Sequence, residues 1–142
     1  MIQDNPRAPV YLDRAEAWLA LQQFEAAERD VAAALGIDDN NHRAYAMRGV
    51  IHLRQNRPDA AVADFSRSLA LNPSNDDDYY QRALAYQLAG QFKDSLADLD
   101  HWLEVRPGHK AGYILRAEIQ DRLGRKDLAH RDRQIADRLS AD

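Results

Sequence analysis

The 142-residue chain contains no cysteine and no threonine. Without cysteine there are no disulfides, thiolate metal sites or cysteine nucleophiles, and the redox compartment stays open. Threonine's absence goes with few valines and isoleucines, so β-branched residues, which suit strands, are scarce. No run of about 18 apolar residues occurs, and no segment reads as a membrane span. Residues 1–7 lack the basic start and apolar stretch of an export signal, which points to a cytoplasmic protein. A net charge of -4 lacks the basic excess that non-specific nucleic-acid binding needs.

Chemical motifs are missing as well. There is no phosphate loop, no Gly-x-Gly-x-x-Gly and no His-Glu-x-x-His, and no serine has the nucleophile-elbow context. The five histidines (His42, His52, His101, His109 and His130) include no i, i+4 pair. His101 and Glu104 lie three apart on one helix, but two ligands do not make a metal site. The run Asp76-Asp77-Asp78 opens a helix, where carboxylates oppose the positive end of the macrodipole, and so needs no metal to explain it. These residues predict no catalytic set, no metal and no cofactor.

What is abundant is alanine and leucine, 24 and 16 residues, the strongest helix formers, so the chain reads as all-α. A period of 34 organises it. Sliding the sequence by 34 aligns Tyr11, Tyr45, Tyr79 and Tyr113, then Arg14, Arg48, Arg82 and Arg116, then Asp30, Asp64, Asp98 and Asp132. Two further columns hold small residues: Ala15, Gly49, Ala83 and Ala117, and Ala27, Ala61, Ser95 and Ala129. The spacing predicts four units, 8–41, 42–75, 76–109 and 110–142, forming one domain over 1–142.

Each unit reads as two helices, at unit positions 2–14 and 18–31, joined by short turns such as Asn56-Arg57-Pro58 and Gly90-Gln91. Such connections make neighbouring helices antiparallel. The small columns let paired helices approach closely. Large apolar residues at positions 17, 24, 28 and 30, such as Phe24, Val31, Phe65, Leu71, Leu99 and Val105, fill the layer. One hairpin cannot bury its apolar faces alone, so hairpins stack.

The pattern Tyr-x-x-Arg-Ala/Gly, then Gly-x-Phe, Ala-x-x-Asp and Leu-x-Leu-x-Pro resembles the tetratricopeptide repeat. The third unit carries it most fully, at Tyr79, Arg82, Ala83, Tyr86, Gly90, Phe92, Ser95, Leu99, Trp102 and Pro107. The resemblance implies a right-handed superhelical solenoid of antiparallel helix pairs, eight helices in all. It also implies a concave groove lined by the first helix of each unit, which takes a peptide segment of a partner protein. The groove positions fall on Leu12, Asp13, Glu16 and Leu19, on Arg43, Met47, Val50 and Arg54, on Asp77, Tyr80, Gln81 and Leu84, and on Ile114, Leu115, Glu118 and Arg122. The peptide-binding set drawn from these is Leu12, Arg43, Met47, Val50, Arg54, Tyr80, Leu84, Ile114 and Leu115, with Tyr80, Met47 and Leu84 as first anchors and Arg43 and Arg54 for orientation. One subclass of the family clamps the acidic tail of heat-shock chaperones with cationic side chains. Its positions map here onto Leu12, Glu16, Met47, Asp77 and Gln81, or one unit later onto Ala46, Val50, Gln81, Ala111 and Leu115. Neither set carries the cations.

Five features carry further expectations. Trp102 replaces a small residue where helices pack closest, and Gly112 on the next helix is the candidate that makes room for it. The paired Arg and Asp columns predict one inter-helix ion pair per unit. In the last unit Arg133 and Asp137 stand where Phe65 and Leu69 stood, so its second helix reads as a C-terminal cap that turns Leu128, Ile135, Ala136 and Leu139 inward. Asn5-Pro6 lies one residue from where a preceding unit's proline would fall, which suits the end of a longer array or an end covered by a partner. Net charge alternates along the four units, -5, +3, -4 and +2, a pattern that also fits weak head-to-tail self-association.

Overall fold

The computed structural model describes residues 7–139. Among them are eight α-helices and no strand. They are α1 (Arg7–Ala20), α2 (Phe24–Ile37), α3 (His42–Arg54), α4 (Pro58–Leu71), α5 (Asp76–Leu88), α6 (Phe92–Val105), α7 (Lys110–Arg122) and α8 (Lys126–Arg138). The fold is an all-α repeat of helix pairs. Beyond α1, each helix starts and ends within about two residues of where the period places it. Asn5-Pro6 lies outside the described residues.

The turn inside each pair is the same device four times. The residue at unit position 15 has positive φ: Gln22 (59°), Asn56 (59°), Gly90 (77°) and Gly124 (76°). Around it the next backbone N–H reaches back five residues, Gln23 to Trp18, Arg57 to His52, Gln91 to Tyr86 and Arg125 to Gln120. The left-handed residue's own N–H reaches back three, as in Gln22 to Leu19. This closes the last carbonyls of the first helix. Between pairs, the Asn41 side chain accepts from the Ala44 N–H at 3.2 Å and starts α3, and His109 does the same for α7.

Chain contacts divide the molecule into two compact units between Asp78 and Tyr79. In the first, a core of Ala8, Leu12, Ala15, Leu19, Ala27, Val31, Ala34, Ala44 and Ile51 joins α1, α2 and α3. Phe65 of α4 is fully buried against Gly49, where an added Cβ would lie 2.8 Å from its ring. In the second unit, Ala83, Leu96, Leu99, Leu115 and Ile119 pack together across α5, α6 and α7. Trp102, Leu103, Tyr113 and Ala136 form another cluster.

The small columns behave as their size predicts: Ala15, Ala27, Ala61, Ala83, Ser95, Ala117 and Ala129 are fully buried. Ser95 fits the alanine site because its hydroxyl donates to the Ala83 carbonyl at 2.7 Å. The apolar column at position 30 is a correction. Leu71 and Val105, the last residues of α4 and α6, are 42% and 40% exposed, whereas Ile37 packs against the first core. Leu128 is exposed too, whereas Ile135, Ala136 and Leu139 turn inward.

The Arg and Asp columns meet in every unit. Arg14 grips Asp30, Arg48 grips Asp64, Arg82 grips Asp98 and Arg116 grips Asp132, each through Nε and Nη2, at 2.6–2.9 Å. The same guanidiniums lie 5.5–5.7 Å from the centres of the Tyr11, Tyr45, Tyr79 and Tyr113 rings. Hydrogen bonding to the aspartate is the main reason each arginine holds its proton above the ordinary range. The carboxylates are buried, and the arginines range from 59% exposed at Arg14 to 19% at Arg82.

Two outcomes follow from these turns and pairs. Gln22→Gly removes a left-handed strain of about 1 kcal/mol and raises the urea midpoint, net of the extra freedom of the unfolded chain. An unchanged or lower midpoint contradicts this. Asp98→Asn leaves Arg82 with half a partner and costs about 2 kcal/mol in urea unfolding. Asp30→Asn costs less, since Arg14 is mostly in water; equal losses at the two sites would show that burial does not set the strength of the pair.

Candidate functional site

A concave feature of the first unit lies between α1 and α3. It is an open groove of about 480 Å³, lined by Glu16, Leu19 and Ala20 from α1 and by Arg43, Ala46, Met47, Val50 and Arg54 from α3. Leu19, Ala20, Ala46, Met47 and Val50 make its floor and walls apolar. Charged groups stand along it. Arg43 donates to Asp13 at 2.8 Å and lies 3.6 Å from Glu16, with both carboxylates at least 70% exposed. Such surface pairs are weak and exchange readily for an incoming charge. The Arg54 guanidinium donates to the Leu19 carbonyl over a long 3.5 Å.

The structure thus brings together Arg43, Met47, Val50 and Arg54. It takes Leu12 away: that side chain is 1% exposed within the α1–α2–α3 core and has no surface for a ligand. Position 5 of the first unit points at the neighbouring helices because Ala8, Ala15 and Ala44 around it are too small to fill the layer themselves. Ala20 and Ala46 join the groove although neither stands in the peptide-binding set. Their signal is i, i+4 spacing, Ala46 from Val50 and Ala20 from Glu16, small residues that lower the floor of a helix face.

In the second unit the candidates disperse. Leu115 is buried against Ala83, Leu96, Leu99 and Ile119, and is likewise a packing residue, since it completes the α5–α7 layer. Leu84 is half-buried on the same cluster. Ile114 is 40% exposed. Tyr80 is half-buried against Trp102, ring centres 5.4 Å apart, and against His109 at 4.8 Å, and its phenol is pushed above its ordinary value by desolvation. Its ring is largely committed to the core.

Trp102 is itself core, 6% exposed. Gly112 does make room for it: a Cβ there would lie 3.3 Å from the indole, 3.0 Å from His109 Nδ1 and 2.9 Å from Leu103. His109 Nδ1 accepts from both Trp102 Nε1–H (3.1 Å) and the Gly112 N–H (3.0 Å). Both bonds need Nδ1 unprotonated. Desolvation accordingly pushes the imidazole below its ordinary value.

Asp78 differs from the solvated helix-start carboxylate that its acidic neighbours suggest. It is 4% exposed and accepts from the Ser68 hydroxyl at 2.6 Å, and burial pushes it above the ordinary carboxylate range. A serine on α4 explains the difference, since a buried carboxylate needs a donor. Among the described residues no three His, Asp or Glu side chains gather as metal ligands, and no helix is long and apolar enough to cross a membrane.

Comparison with known proteins follows this geometry. The family model of the tetratricopeptide repeat matches residues 49–140. No curated protein matches the chain. Among solved structures, a crystal structure of MamA superposes with a TM-score of 0.88 at 19% identity, over 94% of this chain and 78% of that one. A double mutant of MamA from RS-1 gives 0.88 at 17%, over 98% and 78%. The first tetratricopeptide domain of Spaghetti (RPAP3), bound to the HSP90 peptide SRMEEVD, gives 0.81 at 19%, over 85% and 96%.

The His109 geometry fixes a pH dependence. The folded state takes this proton less readily than the unfolded chain, whose value is near 6.5. Its contribution is therefore complete above that value and is lost as pH falls toward the lower folded value. Unfolding free energy measured from pH 7.5 downward should fall less steeply in His109→Asn, which keeps a cap acceptor that does not titrate there. Identical slopes would remove His109 as the cause.

Proposed function

The chain belongs to the tetratricopeptide repeat family, and we propose that it is a non-catalytic protein-interaction scaffold that holds a segment of another protein in the groove between α1 and α3. The observation that carries this reading is the groove itself: an apolar floor open to solvent, with cations and carboxylates at intervals along it. Isolated exposed apolar residues need no explanation, but a contiguous concave strip rimmed by charge is the usual form of a docking surface. That RPAP3, a protein of the same fold, is seen with a peptide supports the mode of use.

The partner segment carries small or medium apolar anchors for Met47 and Val50. A carboxylate near one anchor pairs with Arg54, and mixed charge suits Arg43 and Glu16. Affinity rests on few contacts. Acidic tails of the SRMEEVD kind are poor candidates, because Glu16 and Met47 stand where the clamp would place cations, and Glu16 repels them.

Peptides selected by display on the intact chain, then titrated by fluorescence anisotropy, test the assignment. Met47→Ala and Arg54→Ala should each weaken the selected peptides about tenfold, and SRMEEVD should not bind. Unchanged affinity in both variants would dismiss the groove as the docking site.

A further inference from the structure

The opposite side of α3 carries a second, chemically different concavity. Met47 and Val50 face the groove. Arg48 and His52, one turn apart on the other side of the helix, face a crevice of about 460 Å³ bounded by α2, α3 and α4. Its apolar part is Ala32, Ala60 and Ala63, and the rest is polar or charged.

Two of the polar residues, His52 and Arg67, are peculiar to this repeat. Where His52 stands, the other units have Trp18, Tyr86 and Gln120; where Arg67 stands, they have Ala33, His101 and Ile135. Arg57 has counterparts in Gln23, Gln91 and Arg125. Position 11 is elsewhere mostly a bulky aromatic. Replacing it with a smaller imidazole leaves room, and two arginines not required by the repeat border the space.

The charges in the crevice do not cancel. Asp64, only 2% exposed, is saturated: Arg48 grips it through Nε and Nη2, Arg67 donates through Nη1 at 2.7 Å, and His52 Nε2 lies 3.4 Å away. Glu28 is the second carboxylate, and one of its oxygens is buried without a hydrogen-bond partner. Against these two stand three guanidiniums. Arg48 Nη1 and the Nε and Nη2 of Arg67 are not used on Asp64, and Arg57 has no side-chain ion pair or hydrogen bond among the described residues. Arg48 and Arg67 remain 33% and 54% exposed.

We propose that this crevice is a binding site for a phosphate monoester. Its dianionic oxygens lie between Arg57, Arg67 and the unused edge of Arg48, and its organic part rests on Ala32, Ala60 and Ala63. Arginine suits this because the planar fork offers paired donors to one oxyanion, and three forks around one concavity outmatch a single surface cation. A monoester is preferred over a simple carboxylate because its two charges and three free oxygens use donors from more than one arginine. The ester is either a small free molecule or a phosphorylated side chain of a partner; the chemistry is common to both.

The experiment is an amide NMR titration of the full chain in low-salt chloride buffer with inorganic phosphate, phosphoserine, a phosphoserine peptide and its unphosphorylated twin, with acetate as control. Phosphate and phosphoserine should shift the amides of Ala60 and Ala63, and acetate should bind far more weakly. Arg57→Ala and Arg67→Ala should each weaken phosphoserine about tenfold, while Arg125→Ala, the same charge loss at the matching place in the last repeat, should not. Circular dichroism checks folding, and Arg57, whose side chain bonds to none of the described residues, is the variant least able to disturb it. Stronger binding of the phosphopeptide than of phosphoserine assigns the ester to a partner, and equal binding assigns it to a small molecule. Acetate or chloride acting as phosphate does, or Arg57→Ala and Arg125→Ala behaving alike, overturns the site.

Discussion

Each hairpin is closed by one clasp of three residues, and the rest of the architecture is arranged around it. Tyrosine and arginine three apart lie on the same side of the first helix, and the guanidinium sits by the ring. Its edge turns outward to an aspartate sixteen residues later, on the second helix. Only a planar cation does both at once, one face for the ring and one fork for the carboxylate, and a lysine does neither as well. That gives four of the arginines a structural reason that their abundance alone does not reveal. The clasp adds modest net stability, since burying a carboxylate costs about what its pairing returns. What it fixes is register: a hairpin slipped by one turn strands a buried aspartate without a donor.

The clasp and the close helix approach need each other. The arginine precedes the small residue of its helix by one position in every unit. A larger side chain there would lift the second helix away, and the fork would no longer reach. Gly49 is the extreme case, its missing Cβ occupied by the Phe65 ring. Gly112 is the reverse, a small residue made necessary by the larger ones around it, Leu103, His109 and Trp102, the last in a column that is otherwise small.

Repetition made most of this legible. Columns repeated four times identify the helices, the turns and the Arg–Asp pairs, because each is a constraint that every unit must satisfy, and the break in a small column at Trp102 points to Gly112. The tyrosine's part in the clasp was present as an aligned column, but a column does not say what it touches. Single-copy features were harder. His109 as a helix cap has no sequence signature, since its Nδ1 serves only because Trp102 happens to share it. Asp78 looked like one of three solvated carboxylates until Ser68 was placed beside it. For the groove, period alone could not separate Leu12 and Leu115 from Met47 and Val50. All lie near the boundary between the groove face and the face toward the next helix. Which side of it each falls on depends on the bulk of its neighbours, and small alanines around Leu12 draw it inward.

The two sides of α3 show how one repeat unit acquires distinct surfaces without disturbing the repeat. Its helix has to supply Tyr45, Arg48 and Gly49 to the hairpin, which leaves two stripes unconstrained. One stripe, Arg43, Ala46, Met47, Val50 and Arg54, is apolar in the middle and charged at the ends. The other acquires His52 where the neighbouring repeats spend an aromatic on packing, and with it a polar crevice next to the clasp. Because Asp64 belongs to the clasp and is already satisfied by Arg48, any further cation placed beside it is in excess. Arg67 is such a cation: it donates to Asp64 through Nη1 and keeps Nε and Nη2 off that carboxylate. A structural pair can therefore seed a binding site: the repeat supplies a saturated carboxylate and a rigid guanidinium, and two substitutions around them turn a neutral clasp into a basic pocket.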